Sequence, residues 1–347
     1  MTDESTDDPR RVPEQEASAR AAPAAGRPAP EAAGKGAPRP SIGGQAVLEG
    51  VMMRGPVSWS VACRRPDATI AVEKHSLPGL ADRHRWLKWP LVRGVWVLGE
   101  SLGIGIKALM ISANHSLEEE EELTDRQLGW SLGTAMVLFS AVFIALPVLG
   151  ARLVDSFIGG TDSDHPLLFN LIEGGFRLGM FVGYLFLISL FKDIRRVFQY
   201  HGAEHKTIYA YENGDPLDPA LIDEKYSTLH VRCGTNFLFI VLFLTIVAHF
   251  FMDLALMGAG LVPRIGIRIA AIPVLAGFSY EAIKLASRNE DSLFFKISML
   301  PGLALQRITT KPPSLDQIEV AIVAMQAVAA DIDSLRKAGE GPEAPVS

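Results

Sequence analysis

Trp130-Ser131-Leu132-Gly133-Thr134-Ala135-Met136-Val137-Leu138-Phe139-Ser140-Ala141-Val142-Phe143-Ile144-Ala145-Leu146-Pro147-Val148-Leu149-Gly150-Ala151 is a run of 22 residues without one charge. As a helix it extends about 33 Å, enough to cross a hydrocarbon core of about 30 Å. The span is placed at 130–153. Working outward, residues 153–166 carry Asp155, Asp162 and Asp164 but no Lys or Arg. Leu167 to Phe191 is a second span, interrupted by Glu173 and Arg177, whose four-residue spacing lets them pair on one helix face. Cys233 to Met252 is a third, charge-free span, and 261–286 is a weaker fourth with Arg264 and Arg268 near its start and Glu281 near its end. His249, inside the third span, is expected to hydrogen-bond to a neighbouring helix.

The 347 residues are 48% hydrophobic and 21% charged, with a net charge of −6 and a mean hydropathy of +0.21. An acidic balance argues against a nucleic-acid binder, which needs a basic face for phosphates. The two cysteines, Cys63 and Cys233, are far apart and belong to no CxxC pair, which fits free thiols on a reducing side. Between the second and third spans, residues 192–232 hold Lys192, Arg195, Arg196, Lys206, Lys225 and Arg232. Basic loops stay cytoplasmic, so this loop is expected to face the cytoplasm. Four spans then put both termini there too, and the lipid bilayer of a bacterial inner membrane is the first partner expected.

The flanking segments differ in texture. Residues 1–40 are rich in Ala, Pro, Gly, Glu and Arg, which predicts a disordered tail, and they lack the apolar core of a secretion signal. Residues 41–80 are Gly-punctuated and apolar, with strand-like runs at Trp59–Cys63 and Thr69–Val72 around a turn at Arg65-Pro66-Asp67. They predict a small β-rich cytoplasmic element. In 81–128, a basic and aromatic stretch (81–93) leads into 94–115, where Glu100 and Lys107 make an interfacial or packed amphipathic helix the reading over a span. The acidic run Glu118–Glu122 reads as a solvated loop. In the C-terminal segment 287–336, Ile318, Ile322, Met325 and Val328 share one helix face, and Ser314 with Gln317 forms a capping box. Residues 337–347 read as a second disordered tail. The fold class is therefore an α-helical multi-pass membrane protein of about four transmembrane helices, with a small β element and a C-terminal amphipathic helix.

The chemistry concentrates in Phe198-Gln199-Tyr200-His201-Gly202-Ala203-Glu204-His205-Lys206-Thr207. On a helix, His201 and His205 lie four apart on one face and can converge on a metal, with Glu204 beside them as a base. Zinc accepts imidazole, thiolate and carboxylate ligands, usually four, and catalytic sites keep one place for water. His230, Cys233 and Glu281 are the candidates for a third ligand, and the residues alone do not choose among them. Arg232 or Lys206 would stabilise a developing oxyanion. Tyr200 and Tyr209 are read as interfacial anchors. Against a zinc enzyme of hydrolytic type stands a non-catalytic partner of another membrane-protein complex, in which the same histidines are structural.

Four strings resemble the YqhQ-like family of bacterial membrane proteins: Gly43-Gly44-Gln45-Ala46-Val47-Leu48-Glu49-Gly50-Val51-Met52-Met53-Arg54, Phe198–Thr207, His230–Phe237 and Pro301–Thr310. They occur in order across roughly residues 41–330. Val231 departs from the proline expected there, which loosens the turn without removing a ligand. The family is of unknown function and described as predicted metal-dependent enzymes, so the resemblance implies a membrane protein and metal dependence, and supplies no substrate.

Overall fold

The computed structural model describes residues 42–77, 85–116, 125–158, 166–255, 261–288 and 292–337. Residues 1–40, residues 338–347 and the Glu118–Glu122 run lie outside these residues, while Lys337 ends the last helix. The β-rich element is a four-stranded antiparallel meander: β1 (Gly43–Val47), β2 (Gly50–Arg54), β3 (Ser58–Arg64) and β4 (Ile70–Ser76). Two strands come from the Gly-punctuated stretch. The β1–β2 turn sets Glu49 at φ 51°. At the β3–β4 turn the Asp67 carboxylate accepts from the Thr69 N–H at 2.9 Å, an Asx-type closure.

The helices follow in order. A 3-10 turn (Arg85–Lys88) leads to α1 (Val92–Ser116). Then α2 (Asp125–Ser140) runs through a π turn (Ala141–Ala145) into α3 (Leu146–Ile158). Pro147 cannot donate to Phe143 and its ring crowds that carbonyl, which accounts for the widened turn just before it. After these come α4 (Pro166–Ile188), α5 (Lys192–Asn213), α6 (Pro219–Lys225), α7 (Gly234–Ala255), α8 (Leu261–Arg288), α9 (Leu293–Thr309) and α10 (Leu315–Lys337).

Five stretches among the described residues are long and apolar enough to cross a membrane: Val92–Ser116, Gly129–Val154, Leu168–Ile188, Gly234–Met252 and Gly266–Leu285. That is one more than the four expected, because α1 runs unbroken for 25 residues. Within it Glu100 is bound by Arg54, and Arg54 Nη1 also donates to Ser101 Oγ at 2.6 Å. Yet α1 packs along the sheet, with Ile104 and Ala108 against Val47, Met52, Trp59, Val61 and Cys63. A packed amphipathic helix is what its contacts describe.

The other sheet face presents Val51, Met53 and Ala62 to α10 and α5. Ile318, Ile322, Met325 and Val328 are all buried there, as their spacing predicted. Ser60 Oγ donates to the Ala324 carbonyl at 2.7 Å, and the Ser314 N–H donates to Gln317 Oε1 at 2.9 Å, the backward half of the capping box. With both faces covered, the central strands β2 and β3 are buried almost throughout, whereas the edge strand β4 alternates and exposes Val72, Lys74 and Ser76.

Glu173 and Arg177 do pair, but as half of a larger group. Arg268 of α8 grips both Glu173 oxygens, at 2.9 and 3.0 Å, and Arg177 Nη1 lies 3.2 Å from His249 Nδ1 of α7. All four side chains are buried, so three helices are tied together by one polar knot.

Three helix ends share the sheet's side of the molecule. α4 passes into α5 through a three-residue turn, α7 begins beside α5 at Cys233, and the α8 end holding Tyr280 and Glu281 meets the start of α1 at Gly94 and Arg93.

Candidate metal centre

The Phe198–Thr207 string is helical within α5, so His201 and His205 lie one turn apart, ring centroids 4.4 Å from each other. What aims them is backbone from distant segments. His201 Nδ1 donates to the Thr309 carbonyl at 2.9 Å, at the end of α9. His205 Nδ1 donates to the Thr228 carbonyl at 2.5 Å. A carbonyl only accepts, so each ring carries its proton on Nδ1 and leaves an Nε2 lone pair for something else. That is the arrangement that fixes tautomer and orientation in metal-binding histidines. His201 Nε2 is 3.2 Å from Cys233 Sγ. His205 Nε2 is buried without a hydrogen bond.

One nitrogen from each histidine and Cys233 Sγ lie within 4.8 Å of one another. Tetrahedral zinc holds N and S ligands at about 2.0–2.3 Å, hence roughly 3.5 Å apart, so the three donors need only a small contraction. The Thr235 N–H and Oγ1 approach the sulfur at 3.4 and 3.2 Å, donors that favour a thiolate, the form that binds metal. Burial lowers the basicity of His205 and so keeps its ring neutral, again the ligating form.

Glu204, on the flank of α5 that faces the sheet, reaches β1 while His201 and the Cys233 sulfur stay near enough to act on its charge. A Cβ on Gly44 would stand 2.7 Å from Glu204 Cγ, Cδ and Oε1, so the carboxyl occupies the space a side chain there would fill. Glu204 Oε2 is buried without a hydrogen bond. Burial pushes this carboxyl up to about 8; the neighbouring Cys233 sulfur adds to the rise, while His201 and the Ala46 N–H pull against it. A group poised near neutrality is suited to passing a proton in either direction. The glycine in β1 is thus a matter of close approach rather than of turn geometry alone. Gly44→Val should lower stability by about 1–3 kcal/mol through overpacking at Glu204, seen as a lower melting temperature in detergent; an unchanged melting temperature would contradict the placement.

The other expected residues are engaged elsewhere. Glu281 is held by Arg93, with Nε donating to Oε1 at 2.7 Å, and does not join the histidines. In the last third of α8, it is taken by the start of α1. Lys206 is buried and donates to the Asp223 carboxylate and carbonyl at 2.6 and 2.7 Å, and Arg232 pairs with Glu212, so neither points an unoccupied cation at the donors. His230 lies close by, its ring 5.4 Å from that of His205, yet outside the three-donor group. Its Nδ1 accepts from the Arg232 N–H at 3.2 Å, and its Nε2 is 3.9 Å from Glu212. Tyr200 is fully buried, its hydroxyl 3.3 Å from Glu49, and so is no interfacial anchor; the half-buried Tyr209 packs on His230 at 4.4 Å.

Several supporting residues gave no signal of their own. Gln306 clamps His230 from both sides, its amide donating to the His230 carbonyl and its oxygen accepting from the His230 N–H, both at 2.8 Å. Gly202 lets the α9–α10 connection cross α5, since a Cβ there would be 2.2 Å from the Lys311 carbonyl oxygen. All four strings singled out in the sequence therefore meet: β1 at Glu204, α5, the His230–Asn236 turn, and the end of α9.

Among comparisons with known proteins, a family model described as "Protein of unknown function (DUF1385)" matches residues 89–331. "Uncharacterized protein YqhQ" of Bacillus subtilis (strain 168) is 36% identical over 293 residues, covering 82% of this chain and 90% of that protein. No solved structure matches. The chain belongs to the DUF1385 family, the family of YqhQ.

Proposed function

We propose that this is a multi-pass protein of the bacterial cytoplasmic membrane whose cytoplasmic face carries a mononuclear zinc centre with hydrolytic activity. The single observation behind the reading is the convergence of His201, His205 and Cys233, with both histidines fixed through Nδ1 on backbone carbonyls. The bilayer part is supported by the outward faces of α2, α3, α4 and α7, where Val137 is 70% and Phe157 83% exposed. Apolar surface on that scale needs lipid or protein to cover it. Four crossings, with α1 on the sheet, keep both termini and the site on one side, and the basic loop makes that side cytoplasmic.

His201 Nε2, His205 Nε2 and the Cys233 thiolate would hold the metal, and three protein ligands leave a fourth position for water. A bound zinc supplies Lewis acidity and a water acidified to near neutral pH. Within the chain, Glu204 holds and releases the proton, while Thr235 keeps the sulfur anionic and Thr309 and Thr228 keep the imidazoles aimed. Glu204→Gln keeps size and hydrogen-bonding shape while removing the base. Zinc-loaded protein tested on peptide, ester and phosphodiester probes should lose turnover by about 10²-fold or more in Glu204→Gln, with zinc content and folding retained. If Glu204→Gln is tolerated and His205→Ala instead lowers abundance, the centre is structural, and a role as partner of another membrane complex follows.

A further inference from the structure

Beside the sheet, away from the histidines, lies a cavity of about 940 Å³, at the upper end of the size of small-molecule sites, about 300–1,000 Å³. Its walls are α1, β3, β4 and the 3-10 turn. They bring together Trp59, Trp86 and Trp96, with His75 stacked on Trp59 at 4.3 Å. Gly99 and Gly103, one turn apart on α1, also line it, and a Cβ on either would meet nothing within 4 Å. At these two positions the surface of α1 is bare and open to the space.

The charges of the wall are uneven. Glu100 is neutralised by Arg54, and Lys74 by Asp331 at 2.5 Å. Lys107 is exposed and makes no ion pair among the described residues. It stands twelve residues past Val95, about 18 Å along the axis. At the other end Trp86, Leu87, Val92 and Val95 are apolar, and the Trp96 indole N–H is buried without a partner. Trp86 and Trp89, 54% and 65% exposed, flank this end as residues of a membrane interface do.

We propose that this cavity binds an anionic phospholipid, one acyl chain lying against the tryptophans and over Gly99 and Gly103, the phosphate at Lys107. The inference rests on the membrane reading above and not on the metal. It makes α1 a lipid-contacting element of the cytoplasmic unit, and the headgroup charge sets which lipid it holds.

The test uses the full chain in mild detergent with Trp89→Phe and Trp130→Phe, leaving the three lining tryptophans. Brominated phosphatidylglycerol should quench them saturably, at about fivefold lower concentration than brominated phosphatidylcholine, the effect of one lysine. Gly103→Leu, whose Cβ would meet nothing within 4 Å and whose side chain would stand in the acyl path, should abolish the saturable part, and Lys107→Glu should erase the preference between lipids. Equal curves for the two lipids, or quenching untouched by Gly103→Leu, would overturn the proposal. A variant keeping Trp130 alone, in vesicles, separates this from the membrane reading: Trp130 should be quenched by either brominated lipid. No quenching there would count against the membrane assignment itself.

Discussion

Cys233→Ser is expected to weaken metal binding by about two orders of magnitude or more while leaving the fold in place. Loss of residues that merely orient ligands costs about 10–100-fold, and here a ligand itself is replaced. A serine hydroxyl has nearly the same size but stays protonated at neutral pH, so it offers no anion to the metal. The Thr235 donors, which now face the sulfur, would face a hydroxyl without harm. Cobalt(II) titration reads the effect directly, because thiolate coordination gives an absorption that a serine cannot. Equal affinity and an equal spectrum in Cys233→Ser would remove the sulfur from the proposed site. His205→Ala makes a useful companion, since it takes away a ligand and also leaves the Thr228 carbonyl without its donor.

Glu173→Ala is expected to destabilise the helical bundle by about 3–5 kcal/mol, the usual cost of removing one member of a buried ion pair. Two guanidiniums, from Arg177 on the same helix and Arg268 on α8, bond to that one carboxylate, and all three side chains are buried. Its removal takes away the anion both share, in surroundings where charge is poorly solvated. The measurement is thermal unfolding in detergent alongside protein abundance in membranes. Glu173→Gln should fall between, since it keeps acceptor geometry but not charge. A melting temperature within a degree of wild type would show that the cluster does not hold α4 to α8.

Much of this architecture was legible because its signals are local. A charge-free run of 22 residues, a heptad-like face on α10 and a His-x-x-Glu-His string each carry their meaning within one or a few turns. The β element was visible only in part. β3 and β4 show strand composition, whereas β1 and β2 are masked by glycines, and the reason for Gly44 lies in Glu204, 160 residues away. For 94–115 the expectation is an interfacial or packed amphipathic helix; α1 does pack on the sheet, yet it is also long and apolar enough to cross a membrane, and the strand residue that binds Glu100, Arg54, lies 46 positions away. The site divides in the same way. His201, His205 and Cys233 could be named from residue type and spacing, but the choice of Cys233 over Glu281 depended on Arg93 meeting Glu281 at the α1–α8 junction. Gln306, Thr309 and Thr228 act through backbone carbonyls or amide clamps, for which no residue type is diagnostic.

The central claim is tested most directly by elemental mass spectrometry of the detergent-purified full chain, wild type against His201→Ala/His205→Ala. The account predicts about one zinc per chain in wild type and none above background in the double variant, with both eluting as folded protein. Wild type that stays free of metal after resupply at neutral pH, or a double variant that keeps its zinc, would contradict it.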